Sequence, residues 1–220
     1  SINVSAYELQ HPKFKKELKK KLSHYQNKLN QYLELEILES STLNDLQQTN
    51  EIINQCHQLG LEVSLDDFGT GYSSLSYLRL LNVDAIKIDQ SFVQEMMDSP
   101  KVIAILDSIL HMTNRFNQSI VAEGVDSIEK GLLLLQLGIQ IGQGYFIGKP
   151  MPAEDFEQWM RSWKTPPQWK NQKIVPAEHK ELIYSKALIS RLIITLSNQE
   201  RITALDMMNV KLSFTHLDDW

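Results

Sequence analysis

Asp66 and Asp67 are the residues of this chain best placed to do chemistry. They close the run Leu61-Glu62-Val63-Ser64-Leu65, whose alternating side chains read as a half-buried strand. The stretch Phe68-Gly69-Thr70-Gly71-Tyr72-Ser73-Ser74-Leu75 follows, a glycine-rich turn that opens a helix. Successive strand residues point to opposite faces, so the two carboxylates are expected to diverge at the strand end and reach toward two neighbouring cations. Without such cations the pair would repel and one carboxyl would be hard to ionise.

Other polar residues stand at the ends of strand-like runs: Asn3, Glu36, Lys87, Glu123 and Gln143. Any one of them alone is most simply a helix cap or a solvated group. One station per strand is what a site on the C-terminal rim of a parallel barrel requires. The set offers carboxylates, two side-chain amides and a lysine, with neither histidine nor thiol. Such hard oxygen donors favour Mg²⁺ or Mn²⁺ over zinc or copper. Lys87, between Ile86 and Ile88, would face the barrel interior if its neighbours pack outward. It could pair with a carboxylate there, or orient a water or a phosphate. The six histidines show no paired ligand spacing. Asp67-Phe68-Gly69 also occurs in protein kinases, but the kinase phosphate loop, its Val-Ala-Ile-Lys strand and its His-Arg-Asp loop are missing.

Positioning those residues requires strands and helices in strict alternation, and the periodicity supplies six such pairs up to about residue 163. Strand-like runs over 2–5, 33–37, 61–65, 84–88, 119–122 and 139–141 precede helical ones over 7–32, 43–58, 73–81, 91–97 with 102–116, 128–137 and 153–163. No hairpin signal interrupts them, so a parallel sheet with right-handed crossovers is expected. The fold class is therefore α/β, a TIM-like (β/α) barrel that is incomplete, because a full barrel of eight units usually takes about 250 residues. A proline break at Thr165-Pro166-Pro167 divides residues 1–164, the partial barrel, from 165–220, a linker and a small, mostly helical extension. In that extension residues 178–196 read as an amphipathic helix and 210–214 as a short apolar run.

The 220 residues are 42% hydrophobic and 22% charged, as in an ordinary folded domain. A net charge of −5 argues against a DNA or RNA polymer as partner, which would need clustered cations. Six lysines between Lys13 and Lys21 form the one basic cluster, at helical spacing, and read as a solvated helix face. Cys56 is the only cysteine, so no intrachain disulfide forms and a reducing compartment fits. No apolar run approaches the roughly 20 residues that span a bilayer, and no signal peptide is apparent. The chain begins without methionine, which suggests a processed, cloned or incomplete polypeptide.

The motifs Asn3-Val4-Ser5, Leu35-Glu36-Ile37-Leu38-Glu39-Ser40, Asp66 to Leu75, Val83-Asp84-Ala85-Ile86-Lys87-Ile88-Asp89, Ala122-Glu123-Gly124-Val125-Asp126 and Gln143-Gly144-Tyr145-Phe146-Ile147-Gly148-Lys149-Pro150 carry a family resemblance. In this order the chain resembles the EAL domain of bacterial cyclic di-GMP phosphodiesterases. The resemblance implies hydrolysis of cyclic di-GMP to linear pGpG by water activated at two cations, Mg²⁺ or Mn²⁺. It implies that Asn3, Glu36, Asp66, Asp67 and Glu123 hold the metals, with Asp66 bridging. Lys87, Glu123, Gln143 and Asp67 would serve catalysis. Asp89, Gln143 and Pro150 would contact substrate, and Glu39 would hold the loop after Asp67. It further implies a bacterial cytoplasmic setting, a homodimer as one form of assembly, and an upstream sensory or GGDEF-type domain in a parent protein.

The chain departs from the family pattern at its start. The Glu-Ala-Leu strand that names the family, with its metal-binding glutamate and a substrate-gripping arginine, is not in these 220 residues. Leu38 stands where a threonine is usual, and Asp126, one methylene shorter, where a glutamate is usual. The expected open edges, at the Asn3 and Gln143 strands, invite closure by self-association or by the 178–196 helix. Little or no turnover and weakened metal affinity are therefore expected of this polypeptide. Two alternatives stand beside the enzyme: a degenerate EAL module that binds cyclic di-GMP or a protein partner without cleaving it, and a structural fragment with no ligand.

Overall fold

The structure, a computed structural model, describes residues 1–23, 32–39, 46–71 and 78–170. Six strands, β1 (Ile2–Val4), β2 (Glu34–Leu38), β3 (Glu62–Phe68), β4 (Ala85–Ile88), β5 (Ser119–Ala122) and β6 (Ile141–Gly142), form one sheet in sequence order. Every neighbouring pair is parallel. A parallel sheet in sequence order needs a crossover between each pair of strands, and such units curl as a TIM barrel does. The curl stops short of closure: among the described residues β1 and β6 each pair on one side only.

The described crossover helices are α1 (Ala6–Leu9), α2 (Phe14–Ser23), α3 (Leu46–Gln58), α4 (Gln90–Glu95), α5 (Pro100–Arg115) and α6 (Ile128–Leu137); α7 (Ala153–Ser162) and a 3₁₀ turn over Pro167–Trp169 follow β6. Local chemistry sets their limits. Ser5 and Glu8 exchange hydrogen bonds at the start of α1, the Glu8 amide donating to Ser5 Oγ and the Ser5 amide to Glu8 Oε2, each at 3.2 Å, which is a capping box. Pro100 opens α5, where a missing amide proton costs nothing. Ser127 caps α6, accepting from the Lys130 amide at 3.3 Å, and Gly138 ends it in the left-handed region at φ 107°.

The core lies between helices and sheet. Val63, Leu65, Ile86 and Ile88 on the central strands are completely buried. Against them α5 turns Val102, Ile103, Leu106, Ile109, Leu110 and Thr113, the three-and-four spacing of an inward helix face. From α3, Ile53 and Cys56 do the same.

Two expectations are corrected. The helix expected over 7–32 is interrupted at Pro12, which cannot donate within a helix, and yields α1 and α2. Residues 24–31 of that expected helix lie outside the described ones, as do 72–77, the 178–196 helix and the 210–214 run. β3 does not end before the acidic pair but includes it, with its register against β4 shifting between Leu65 and Phe68. The start of the expected extension is packed on the barrel: the Trp169 indole N–H donates to the Ile128 carbonyl at 2.8 Å, and its ring lies against Gly131 of α6.

Candidate metal centre

The strands bring the polar stations to one rim. Parallel pairing sets Asn3 beside Glu36, Leu38 beside Asp66 and Lys87 beside Val121, so the ends of β1 to β4 rise in steps around the curl. Glu123 and Gln143 each stand one residue beyond their strands, and the ladder continues through them: the Glu123 amide donates to the Ile88 carbonyl at 3.1 Å and the Gln143 amide to that of Ala122 at 2.9 Å.

Lys87 is the hub. Its side chain is 6% exposed, and Nζ donates to Glu123 Oε1 at 2.7 Å, Asp66 Oδ1 at 2.9 Å and Glu36 Oε1 at 3.0 Å. Ile86 and Ile88 pack outward, so the lysine takes the interior face, as expected. Burial by itself would favour the neutral amine, but the three carboxylates outweigh it and hold the ammonium well above its ordinary pKa. Gln143 Nε2 donates to the same Glu123 oxygen at 2.7 Å.

Asp66 and Asp67 were expected to diverge, and they converge. Asp67 has a left-handed backbone, φ 54°, at a cost of about 1 kcal/mol. That twist breaks the alternation, so one oxygen each of Asp66, Asp67 and Glu123 lies within 4.8 Å of the others. Burial, and then the charges of Asp66 and Asp89, push the Asp67 carboxyl above its ordinary range. Burial also raises Glu123, although its bond to Lys87 works the other way. Glu36 behaves differently: burial would raise it, yet hydrogen bonds from Ser1 and Lys87 bring it below the ordinary value.

The charge balance bears on the fit of a cation. Glu36, Asp66 and Glu123 share the single Lys87 ammonium, and Asp67 adds a fourth carboxyl beside Asp66 and Glu123, so the cluster has more acidic groups than its one lysine can pair. All the donors are hard oxygens, so the cluster fits divalent Mg²⁺ or Mn²⁺. Asn3 adds an amide oxygen only at the margin, since it is exposed on the outer strand.

The remaining expected residues surround this centre. Glu39 is fully buried and Oε2 accepts from the Gly69 amide at 2.8 Å and the Gly71 amide at 3.4 Å, tying the turn after Asp67 to the end of β2. A Cβ on Gly71 would stand 2.8 Å from Glu39 Oε1, so glycine permits this approach. Asp89 caps α4, accepting from the Ser91 amide at 3.0 Å, and it bears on the site through its charge on Asp67. Pro150 lines a cleft of about 770 Å³ with Glu123, Gln143, Tyr145, Phe156 and Trp159. The residues not anticipated from the sequence are Gln94 and Lys130, which touch the turn after Glu123, and Ser64, whose buried hydroxyl has no hydrogen-bond partner. Ser64 was detectable by parity, being two residues from Asp66 on the same strand.

The sequence profile of the EAL domain family matches residues 1–150. A cyclic di-GMP phosphodiesterase of Pseudomonas aeruginosa is 36% identical over 161 residues, 73% of this chain and 27% of that protein. The chain spans between 20% and 32% of the length of the first curated relatives it matches. Among solved structures, the EAL domain of Mycobacterium smegmatis DcpA superposes with a TM-score of 0.69 at 32% identity, covering 74% of this chain and 73% of that one. Klebsiella pneumoniae BlrP1, solved as a manganese and cyclic di-GMP complex, gives a TM-score of 0.62 at 28% identity, over 67% of this chain and 38% of that one.

Proposed function

We propose, on the premise that this chain belongs to the EAL domain family, that it carries most of the catalytic rim of a phosphodiesterase that opens cyclic di-GMP to linear pGpG. The observation that carries the reading is the convergence of Asp66, Asp67 and Glu123 beside the Lys87 ammonium, with Glu123 also lining the Gln143–Pro150 cleft. A binding site of this size suits a ligand of several rings.

Each residue then has a task its position allows. Asp66, Asp67 and Glu123 would hold divalent cations, Mg²⁺ or Mn²⁺, with Glu36 and Asn3 as further donors on the β1 side. Bound there, two such cations supply a more acidic water and stabilise charge on the phosphate and leaving oxygens. Lys87 draws Glu36, Asp66 and Glu123 together and offsets part of their negative charge. Gln143 fixes the Glu123 carboxylate and leaves its amide oxygen free to orient a water. Tyr145, Phe156 and Trp159 offer ring faces for bases, Pro150 an apolar edge, and Asp89 a carboxylate for the polar rim of the substrate. Glu39 holds the Gly69–Gly71 turn that positions Asp67. Residues 165–220 serve as a linker and extension, and an upstream sensory or GGDEF-type domain and a second copy of the chain are the partners that fit this architecture.

The 220 residues tested alone are expected to hydrolyse cyclic di-GMP slowly, because Asn3 stands on an edge strand that, among the described residues, pairs with β2 alone. The experiment is hydrolysis with Mn²⁺, followed by chromatography of the product, for this chain and for Asp66→Asn. Slow, metal-dependent release of pGpG that disappears in the variant supports the reading. Rapid turnover would overturn the impairment. Binding of cyclic di-GMP by calorimetry without any cleavage would establish the binding module instead.

A further inference from the structure

The turn that presents Glu123 is held from two directions, and only one of them belongs to the residues named above. On the β6 side the Val125 amide donates to the Gln143 carbonyl at 3.0 Å and the Phe146 amide to the Val125 carbonyl at 3.1 Å. A Cβ on Gly144 would lie 2.2 Å from Val125 backbone atoms, so the two segments touch directly. On the opposite side stand α4 and α6. Gln94 Nε2 of α4 donates to the Gly124 carbonyl at 2.9 Å. Lys130 Nζ of α6 donates to Gln94 Oε1 and to Asp126 Oδ2, the latter at 2.9 Å.

From this geometry we infer that Gln94 and Lys130 form a clamp that positions Glu123 for metal binding. The inference deepens the proposed function and rests on it. Gly124 has a left-handed backbone, φ 72°, and a Cβ there would stand 2.6 Å from Cβ of Gln90. The turn is therefore wedged against α4, and Gln90 and Gln94, four residues apart, face it together. Gly124 has no side chain with which to fix its own peptide plane. Gln94 fixes that plane by taking the carbonyl, and Lys130 fixes Gln94. The Lys130 side chain is only 14% exposed, and its other partner, Asp126, lies one turn before it across the Ser127 cap. Asp126 thus directs its carboxylate to Lys130 rather than to the oxygens of Asp66, Asp67 and Glu123, and its shorter side chain suits that task.

Gln94 also lines the cleft, but neither residue contacts the carboxylate oxygens of Asp66, Asp67 or Glu123, so toward the metal centre both are positioning residues. The test is Mn²⁺ affinity by calorimetry for the wild type, Gln94→Met, Lys130→Met and Lys130→Arg, with Arg161→Met on the exposed face of α7 as control. Supporting residues of this kind typically change metal affinity about tenfold. The expected result is about tenfold weaker binding in Gln94→Met and Lys130→Met, recovery in Lys130→Arg, and no change in the control. The double variant should add little, because the two act in series. Thermal midpoints should shift by less than about 4 °C, which separates positioning from general destabilisation. Hydrogen exchange at the Phe146 and Val125 amides, followed without metal, should quicken in Gln94→Met. Wild-type binding with unchanged affinity in both variants, or unchanged exchange, overturns the clamp alone. No Mn²⁺ binding by the wild type overturns the metal reading and the clamp with it.

Discussion

Replacing Lys87 by methionine is the perturbation whose size the structure defines best. Methionine keeps an unbranched stem in the barrel and removes the ammonium that lies 2.7–3.0 Å from Glu36, Asp66 and Glu123. Breaking a buried pair leaves uncompensated charge and costs about 3–5 kcal/mol. The rim opens to solvent, which screens what remains, so the lower end applies, about 3 kcal/mol. For a chain of this size that is a fall of about 6–12 °C in thermal midpoint.

The pH dependence has a definite sign. The folded pKa of Lys87 is raised, so its contribution is complete below the ordinary lysine value and is lost only as pH climbs through the raised one. At neutral pH it is therefore fully present. In the variant Glu36 and Glu123 lose the Lys87 hydrogen bonds that lower them, and burial holds their folded pKa values above the unfolded ones. That penalty is full at neutral pH and disappears as pH falls through those values. Circular dichroism melts of both proteins at about pH 7 and about pH 5, in chelator, should show the deficit shrinking on acidification. Excess Mn²⁺ at neutral pH should recover part of it, because a ligand of the folded form stabilises by mass action. A variant that melts within about 2 °C of wild type at neutral pH would sink the view that Lys87 neutralises this rim. So would a deficit that grows toward acid.

Mn²⁺ affinity should decline on acidification starting above the ordinary carboxylate range, since Asp67 and Glu123 are both raised; calorimetry across pH checks this, and affinity flat until the ordinary range would count against it. Cys56 is 2% exposed and burial pushes its thiol up to about 11, so a thiol reagent at neutral pH should label the folded chain slowly and the denatured chain at once. Gly131→Ala places a Cβ about 2.1 Å from the Trp169 ring and should expel the indole, seen as a red shift in fluorescence and a loss of about 2 kcal/mol in urea unfolding. An unshifted spectrum would mean that Trp169 does not rest on α6 in solution.

Much of this protein is legible in its sequence because alternation is a local property. The order of six strands, the helices between them and the position of each polar residue relative to a strand end follow from the period of apolar residues and from caps such as Ser127 and Gly138. The donor types likewise limit the choice of cation before any distance is known. The break between α1 and α2 is less legible, because one proline, Pro12, stands in a strongly periodic stretch whose neighbours outweigh it.

Convergence was not legible. Whether Asp66 and Asp67 point together or apart depends on one backbone angle at Asp67, set by the register shift against β4 and by Glu39 holding the following turn. The grouping of Lys87 with three carboxylates from β2, β3 and the end of β5 depends on the stagger of a curled sheet. The meeting of Gln94 with Lys130 joins helices 36 residues apart. Sequence period determines which face a residue takes, because that is settled by its own strand or helix. Which faces meet, and at what charge balance, is settled by the packing of elements distant in the chain, and only the tertiary structure decides it.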